Sequence, residues 1–444
     1  MKHVVIVGGG FAGLNCARKL AVHPEIRITL IDKNNYQQFQ PLLYQVAAGF
    51  LAPSNVAYSL RNMLVKHPNV EVKMAEVVSA DLDTRTVVTA SGERYQGDYL
   101  VLAAGSQANF FGTPGADKFS YPLYSLHDAE LLRSRILAVL EAADRDPALI
   151  QKGALNFVLV GAGATGTEMA GALGDMIHRA LKQEYPNLPL NQMGIYVVDM
   201  GHSVLSAFSP KGQAYAARML EERNVKIHLR TAVKEVGSGH VILSDDTRIP
   251  THTVVWAGGL RAANLSANLG VRPGHGGRID VQADLTLQGF PQVYALGDFA
   301  NIAGSDGSVL PQLASVAEQA GKWSAKNIVA DIEGVERKPF DYFDKGIMAM
   351  IGRKAAIAEV GAHRHELQGP IAFTAWIGVH AALLSTTRAK IETFVEWAWD
   401  YFSETKGDQV LDRFSQASID WNDDWTAEPR DSATKSQAKP AGES

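Results

Sequence analysis

The strongest constraint in this chain is a strand, glycine turn and helix pattern that occurs twice. Lys2 to Val7 is apolar enough for a buried strand and runs into Gly8-Gly9-Gly10-Phe11-Ala12-Gly13. A helix follows, then a strand from Arg27 to Ile31 that ends at Asp32. The pattern returns as a strand at Asn156 to Val160, the turn Gly161-Ala162-Gly163-Ala164-Thr165-Gly166, a helix, and a strand at Gly194 to Val198 ending at Asp199. Each turn has the register Gly-x-Gly-x-x-Gly. The first glycine permits the tight turn, the second lets backbone N–H groups approach a pyrophosphate, and the third lets the helix pack closely on its strand. The helix N-terminus favours the phosphate charge. A carboxylate at the end of the second strand can accept from ribose hydroxyls, and Asp32 stands near the usual spacing of ~20 residues. Asp199 comes later, behind an insertion over residues 175–193. At that spacing a plain strand-end turn carboxylate is the competing reading. If Asp199 faces the ribose it would repel a 2′-phosphate, which predicts NAD rather than NADP.

Two further apolar runs end in glycine, Tyr99 to Gly105 and Thr253 to Gly259, and Gln292 to Leu296 runs into Gly297-Asp298. They fit one plan: an α/β protein with two Rossmann-like dinucleotide-binding domains, the second inserted in the first, plus a small C-terminal α-rich region. The expected boundaries are 1–115 and 263–334 for the first domain and 116–262 for the second. Residues 335–425 form the C-terminal region and 426–444 a disordered tail, since that stretch is rich in Ala, Ser, Lys, Glu and Pro and lacks apolar periodicity.

Composition narrows the chemistry. The 444 residues are 46% hydrophobic and carry a formal net charge of −5, so a basic field for nucleic acid is absent. There is one cysteine, Cys16, which excludes a Cys-x-x-Cys dithiol relay or zinc site. His363-Arg364-His365 lacks companion ligands and reads as a solvated loop, so no metal is expected. Trp421 and Trp425 read as late packing anchors. The apolar run at Val4 to Val7 is too short for a signal-peptide core, and no stretch reaches ~20 apolar residues. The expectation is a cytoplasmic protein whose membrane contact, if any, is peripheral. Two dinucleotide sites in one chain suggest a flavin carrier in one and a nicotinamide substrate in the other, with electrons leaving for a third partner.

Several segments resemble the type II, non-proton-pumping NADH:quinone oxidoreductases. They are Asn35-Tyr36-Gln37-Gln38-Phe39-Gln40-Pro41-Leu42-Leu43-Tyr44-Gln45-Val46-Ala47, Ala103-Ala104-Gly105-Ser106, Asn109-Phe110-Phe111-Gly112, and the run from Gly161 through Thr165, Glu168 and Ala170. Val255-Trp256-Ala257-Gly258-Gly259, Tyr294-Ala295-Leu296-Gly297-Asp298 and Asp344-Lys345-Gly346 through Arg353 extend the likeness to about residue 402. The resemblance implies FAD at the first unit, NADH at the second and a quinone as acceptor, on the inner face of the cell membrane. It implies cofactor contacts at Gly8, Gly10, Gly13, Asp32, Gly105, Gly161, Gly163, Gly166, Asp199, Gly259, Gly297 and Asp298. It gives catalytic roles to Glu168, Gln319 and Lys345, and a quinone side made by Gln45, Ser315 and Gln319. For Asp298 the competing reading is a helix N-cap. For Glu168 it is a carboxylate favoured by the helix dipole alone.

The chain departs from the family in two places. The quinone-side motif Ala-Gln-x-Ala-x-Gln reads Ala314-Ser315-Val316-Ala317-Glu318-Gln319 here, and a histidine-like position in the Asn35 segment is Gln37. Near the C-terminus, Ile391, Phe394, Val395, Ala398, Trp399 and Phe402 form a helical apolar face. Glu392, Glu396, Asp400 and Glu404 form an acidic row beside it, and from Lys390 onward six basic residues meet twelve acidic ones. An acidic face is repelled by anionic headgroups. Membrane docking competes with burial in a homodimer or against the body. These departures leave open a same-fold reductase with a soluble acceptor, a small redox protein or dioxygen. A redox-sensing binding protein without turnover is a third reading, disfavoured by Glu168, Lys345 and Gln319.

Overall fold

The computed structural model describes residues 1–402 except 178–180, 182, 183 and 362, together with 410, 411, 419 and 421. The expected disordered tail at 426–444 and the anchor Trp425 lie outside the described residues.

The first apolar strand, β1 (Lys2–Val7), lies at the middle of a six-stranded sheet. It pairs in parallel with β2 (Ile26–Asp32) on one side and β4 (Tyr99–Leu102) on the other. Beyond β2 lies β3 (Val70–Met74). Beyond β4 lie β13 (Phe290–Ala295), parallel, and β12 (Thr286–Leu287), antiparallel to it. The strands are near-continuous apolar runs because both faces of the sheet are buried under other elements, as parallel sheets require. One of these is α1 (Phe11–Leu20). Its face packs against α5 (Ala314–Ile332) so closely that a Cβ on Gly321 would come 2.1 Å from the Ala12 carbonyl oxygen.

The second sheet repeats the plan. β7 (Asn156–Val160) pairs in parallel with β8 (Gly194–Val198) and with β10 (Thr253–Trp256). The edges are β9 (Val225–His228) and β6 (Ser120–Pro122), also parallel. Helices α2 (Leu126–Arg145), α3 (Ala164–Met176) and α4 (Pro210–Glu221) belong to this half of the chain. In both sheets the strand that opens the unit lies beside its second strand and beside the strand that returns to it, the doubly wound order. The chain passes between the two sheets at β5 (Ser106–Ala108) and β11 (Leu260–Ala262). These two passages pair with each other in an antiparallel ribbon, Gln107 opposite Arg261.

The C-terminal region is helical at its end, in α6 (Gly369–Leu383) and α7 (Thr387–Phe402). It also contains a three-stranded antiparallel sheet that the α-rich expectation lacks: β14 (Gly346–Gly352), β15 (Ala355–Val360) and β16 (His365–Gln368). Two-residue alternation is lost in β15 because α6 packs on it from one side and the second unit from the other, so Ala355 to Glu359 are all buried. The apolar core that includes Leu43, Leu132, Leu159 and Leu173 continues without a break into Ile351, Ile357, Trp376 and Trp397. The His363-Arg364-His365 segment enters β16, with Arg364 paired to Asp344 at 2.7 Å. Trp421 packs as an anchor, its ring 4.4 Å from that of His252.

The apolar face expected near the C-terminus does not pack against the body. Ile391, Phe394, Val395 and Trp399 are 60%, 56%, 57% and 67% exposed. Helix α7 meets the molecule through the opposite side, at Ala389, Thr393 and Trp397. The burial-against-the-body reading is therefore corrected. The periodicity is real, but a helix wrapped by apolar residues on two sides does not reveal which side faces inward. The Glu392 carboxylate of the acidic row is held by Arg388 at 2.6 Å. The side chains of Asp400 and Phe402, and Glu404, lie outside the described residues.

Candidate active site

The two glycine turns are built alike and each is closed except at one point. At Gly8, with φ +101°, a Cβ would stand 2.1 Å from the Ala103 carbonyl oxygen, and at Gly13 1.8 Å from that of Gly8. At Gly10 a Cβ would meet nothing within 4 Å. In the second turn, Gly161 (φ +106°) and Gly166 are closed by Ala257 and Gly161 in the same way, and Gly163 faces open space. The first and third glycines are thus demanded by the fold itself, whereas the second opens onto room for a ligand at a helix N-terminus. That is the fit a pyrophosphate needs, in the first unit as in the second.

Each turn is braced by its strand-end carboxylate. Asp32 Oδ2 accepts from the Gly9 N–H at 2.6 Å and Oδ1 from the Asn34 N–H at 2.7 Å. Asp199 Oδ2 accepts from the Ala162 N–H at 2.6 Å and Oδ1 from the Gly201 N–H at 2.5 Å. The late spacing of Asp199 therefore still delivers it to the position Asp32 occupies. Burial raises the Asp32 carboxyl above the usual carboxylate range, and the two N–H groups oppose that rise.

Gly297 and Asp298 come to the first turn from the far side of the sheet. A Cβ on Gly297 would stand 3.3 Å from the Cβ atoms of both Ala12 and Ala317, so the turn is wedged between the starts of α1 and α5. Asp298 Oδ2 accepts from the Ser106 hydroxyl at 2.9 Å and, at 3.5 Å, from that of Tyr124. Tyr124 in turn accepts from the Ser106 N–H at 3.2 Å. This knot gathers Gly105, Ser106, Tyr124 and Asp298 beside the open side of the first turn. Asp298 is raised by burial, against the pull of these hydroxyls. Among the described residues its side chain caps no helix. Gly259, the corresponding glycine of the second unit, lies under the exposed ring of Phe111, 2.9 Å from where its Cβ would be.

Glu168 rides on α3, one turn after Gly163, and is buried. Its Oε1 accepts from the Met350 N–H of β14 at 3.1 Å. Burial pushes its pKa up to about 8, and that single hydrogen bond does not offset the loss of water. Beyond Met350 stands Gln45, also buried. Its Nε2 donates to the Tyr44 hydroxyl at 3.0 Å and lies 3.9 Å from the Met350 sulfur. Its Oε1 accepts from the Trp397 indole N–H of α7 at 2.8 Å. So Glu168 and Gln45, far apart in sequence, meet through one residue of the C-terminal sheet.

Ser315 and Gln319 share one face of α5, as their spacing predicts, but both hold the strap that leads to β14. The Ser315 hydroxyl pairs with that of Tyr342 at 2.9 Å. The Gln319 amide makes two 3.0 Å bonds to the Phe343 backbone, donating to its carbonyl and accepting from its N–H. Any ligand contact by Gln319 must share or displace those bonds. Lys345 follows on the same strap and is exposed. Gln37 is buried and accepts from the Ser385 hydroxyl at 2.9 Å.

Met350, Trp397, Tyr124 and Tyr44, which reasoning from sequence did not single out, are the residues that hydrogen-bond Glu168, Gln45 and Asp298 in the structure. Tyr44 adjoins Gln45 in the motif and could have been found there. Trp397 could not, because it sits opposite the stripe that drew attention to its helix.

The profile of the family described as pyridine nucleotide-disulphide oxidoreductase matches residues 2–321. The chain is 36% identical over 425 residues to the type II NADH:quinone oxidoreductase Ndh of Mycobacterium tuberculosis, covering 92% of this chain and 90% of that one. It is 31% identical over 375 residues to a type II NADH:quinone oxidoreductase of Staphylococcus aureus, covering 81% and 90%. Among solved structures, NDH2 from Plasmodium falciparum in complex with NADH superimposes with a TM-score of 0.83 at 19% identity, over 91% of this chain and 99% of that one. The sulfide:quinone oxidoreductase of Aquifex aeolicus does so with a TM-score of 0.68 at 20% identity, over 91% and 96%. At these identities the structural matches speak to the fold.

Proposed function

The chain belongs to the pyridine nucleotide-disulphide oxidoreductase family and, within it, to the type II NADH:quinone oxidoreductases, and on that premise we propose that it holds FAD in its first unit and NADH in its second and reduces a quinone without pumping protons. The balance is NADH, a proton and quinone giving NAD⁺ and quinol. The carrying observation is that both glycine turns are sterically closed at the first and third glycines and open at the second. A bound flavin supplies a two-electron carrier between nicotinamide donor and acceptor. The soluble-acceptor alternative gains no support from the relatives, whose names specify quinone.

The chain's own residues then divide the work. Gly8, Gly10 and Gly13 give the FAD pyrophosphate backbone N–H groups and the dipole of α1, and Gly161, Gly163 and Gly166 do the same for NADH with α3. Asp32 and Asp199, already braced on backbone N–H groups, keep further lone pairs for ribose hydroxyls. Gly105, Gly297 and Asp298 hold the remainder of FAD, and Gly259 admits the nicotinamide half of NADH. Glu168 carries a proton at its buried carboxyl through neutral pH, within reach of the acceptor side. Gln45, Ser315 and Gln319 form that acceptor side, and Lys345 shares the catalytic role with Glu168 and Gln319. The exposed stripe of α7, with Ile371 and Leu383 of α6 also exposed, suits a lipid surface from which a lipophilic quinone is drawn. We place the protein peripherally on the inner membrane face; no described helix is long and apolar enough to cross a membrane.

Steady-state rates with NADH and a panel of ubiquinone-1, menadione, dioxygen and an oxidised ferredoxin test this reading. Fast turnover is expected with the quinones, and NADPH should be a far poorer donor. Turnover with dioxygen or ferredoxin alone would overturn the acceptor assignment. Equal kcat/KM for NADH and NADPH would remove Asp199 from the ribose.

A further inference from the structure

Trp397 fixes the direction of a hydrogen-bond chain that runs inward from α7. An indole nitrogen is a donor only, so the Gln45 atom 2.8 Å from it must be the amide oxygen. The amide NH₂ must then face inward, where it meets the Tyr44 hydroxyl at 3.0 Å and the Met350 sulfur at 3.9 Å. With Gln45 donating to it, the Tyr44 oxygen is an acceptor and its own hydrogen is left to point elsewhere. All three groups are buried, so water does not scramble the order. The indole itself cannot easily turn. Its ring lies 5.5 Å from that of Trp376, which is fully buried and stacked on His380 at 3.9 Å. One helical turn before Trp397, Thr393 is buried against Asn55, which holds α7 in axial register.

We propose that Trp397 is a positioning residue for quinone reduction: it sets the sense of the Gln45 amide, and through it leaves the Tyr44 hydroxyl hydrogen available to a quinone carbonyl oxygen. The reverse amide orientation would place the Gln45 carbonyl against Tyr44, which would then donate its hydrogen to Gln45. The inference rests on the reading that Gln45 lies on the quinone side. Trp397 does not itself touch the quinone.

The test uses the flavin-loaded enzyme with NADH, once with ubiquinone-1 and once with ferricyanide, which needs no quinone pocket. Trp397→Phe keeps the ring and removes the N–H. Its KM for ubiquinone-1 should rise about five- to tenfold, the size of one buried hydrogen bond, with the ferricyanide rate unchanged. Gln45→Met should raise KM at least as much. The double variant should be no worse than Gln45→Met, because both act through one amide. Unchanged KM in Trp397→Phe beside a raised KM in Gln45→Met overturns the positioning role alone, and so do effects that multiply. Unchanged KM in Gln45→Met overturns the quinone-side reading and this inference with it. An equal fall with ferricyanide marks Trp397 as merely structural. Should Trp397→Phe fail to fold, Tyr44→Phe leaves α7 untouched and carries the same expectation: a raised KM for ubiquinone-1 supports the chain, an unchanged one breaks it.

Discussion

Gly10 and Gly13 lie three positions apart in one turn and answer to different physics. A Cβ at Gly13 would overlap the Gly8 carbonyl oxygen, so Gly13→Ala must push α1 off its strand. Gly13→Ala should therefore lower the melting temperature of the protein and its soluble yield. A side chain at Gly10 meets no protein atom, so Gly10→Val should fold normally yet emerge colourless, with its flavin content per chain near zero. A yellow, fully loaded Gly10→Val would overturn the pyrophosphate assignment. Glu168 makes the second residue-scale prediction. Its folded pKa, about 8, lies above the 4.5 of an unperturbed glutamate. The folded state thus holds the proton more tightly, and stability declines as pH rises between those two values. Glu168→Gln stays neutral throughout. Its stability relative to the parent should therefore improve steadily from about pH 5 to about pH 8, by at most ~1.4 kcal/mol for each pH unit crossed. Urea midpoints of the two proteins across that range check this, and parallel curves would refute it. At this scale much was legible in the sequence. Glycine spacing and strand-end carboxylates are local, so Asp32 and Asp199 could be named before any fold was known. Met350 and Trp397 could not, since each acts through a backbone or ring N–H aimed at a residue more than a hundred positions away.

Helix α7 carries the main lesson at the scale of elements. Its sequence offers apolar side chains on two sides, and only tertiary packing decides between them. Ile391 and Trp399 project outward, so replacing both with Ser should leave the thermal midpoint within a degree or so, by the usual tolerance of exposed positions. The same double variant should lose co-sedimentation with phosphatidylcholine vesicles, a zwitterionic surface chosen because the chain is acidic. Trp397→Ala, on the inner side, should instead cost about 3–5 kcal/mol in urea unfolding, the usual effect of deleting a buried Trp. If the outward variant is the destabilised one, the orientation of α7 is wrong. Undiminished vesicle binding would turn attention to a homodimer as the cover for that stripe. The sheet of β14, β15 and β16 was illegible for the opposite reason. Its strands are covered on both faces, and a short apolar run rich in Ala and Met does not announce a two-residue period. Polar contacts add to the apolar core that joins its first hairpin to the second unit. Asp175 of α3 pairs with Arg223 at 3.0 Å and accepts from the Arg353 N–H at 2.5 Å, at the turn between β14 and β15.

Across the whole molecule, the C-terminal region is joined to the rest by its core rather than hung from it. A Cβ on Gly171 of α3 would stand 1.8 Å from the Ile351 carbonyl oxygen, so helix and sheet meet at backbone distance. A chain ending at residue 334 would expose the apolar side of α3 together with Leu43 and Val46, which share that core. Such a truncation should aggregate on expression, and limited proteolysis of the intact protein should release no stable fragment of residues 1–334. Recovery of that fragment as a folded, flavin-loaded monomer would show the region to be separable. The doubly wound plan, its duplication and the nesting of one unit in the other were legible at this scale, because each unit repeats a short local signature. The pairing of β5 with β11 was not, since the two strands are short and depend on each other for their hydrogen bonds. That pairing has a bearing on ancestry. The nested unit leaves its host and returns to it through neighbouring strands, so its two ends stand side by side, one strand spacing of about 5 Å apart. A whole nucleotide-binding module could thus have been spliced into a single surface loop of an older flavin-binding protein in one genetic event, with every strand of the host sheet left in its original order.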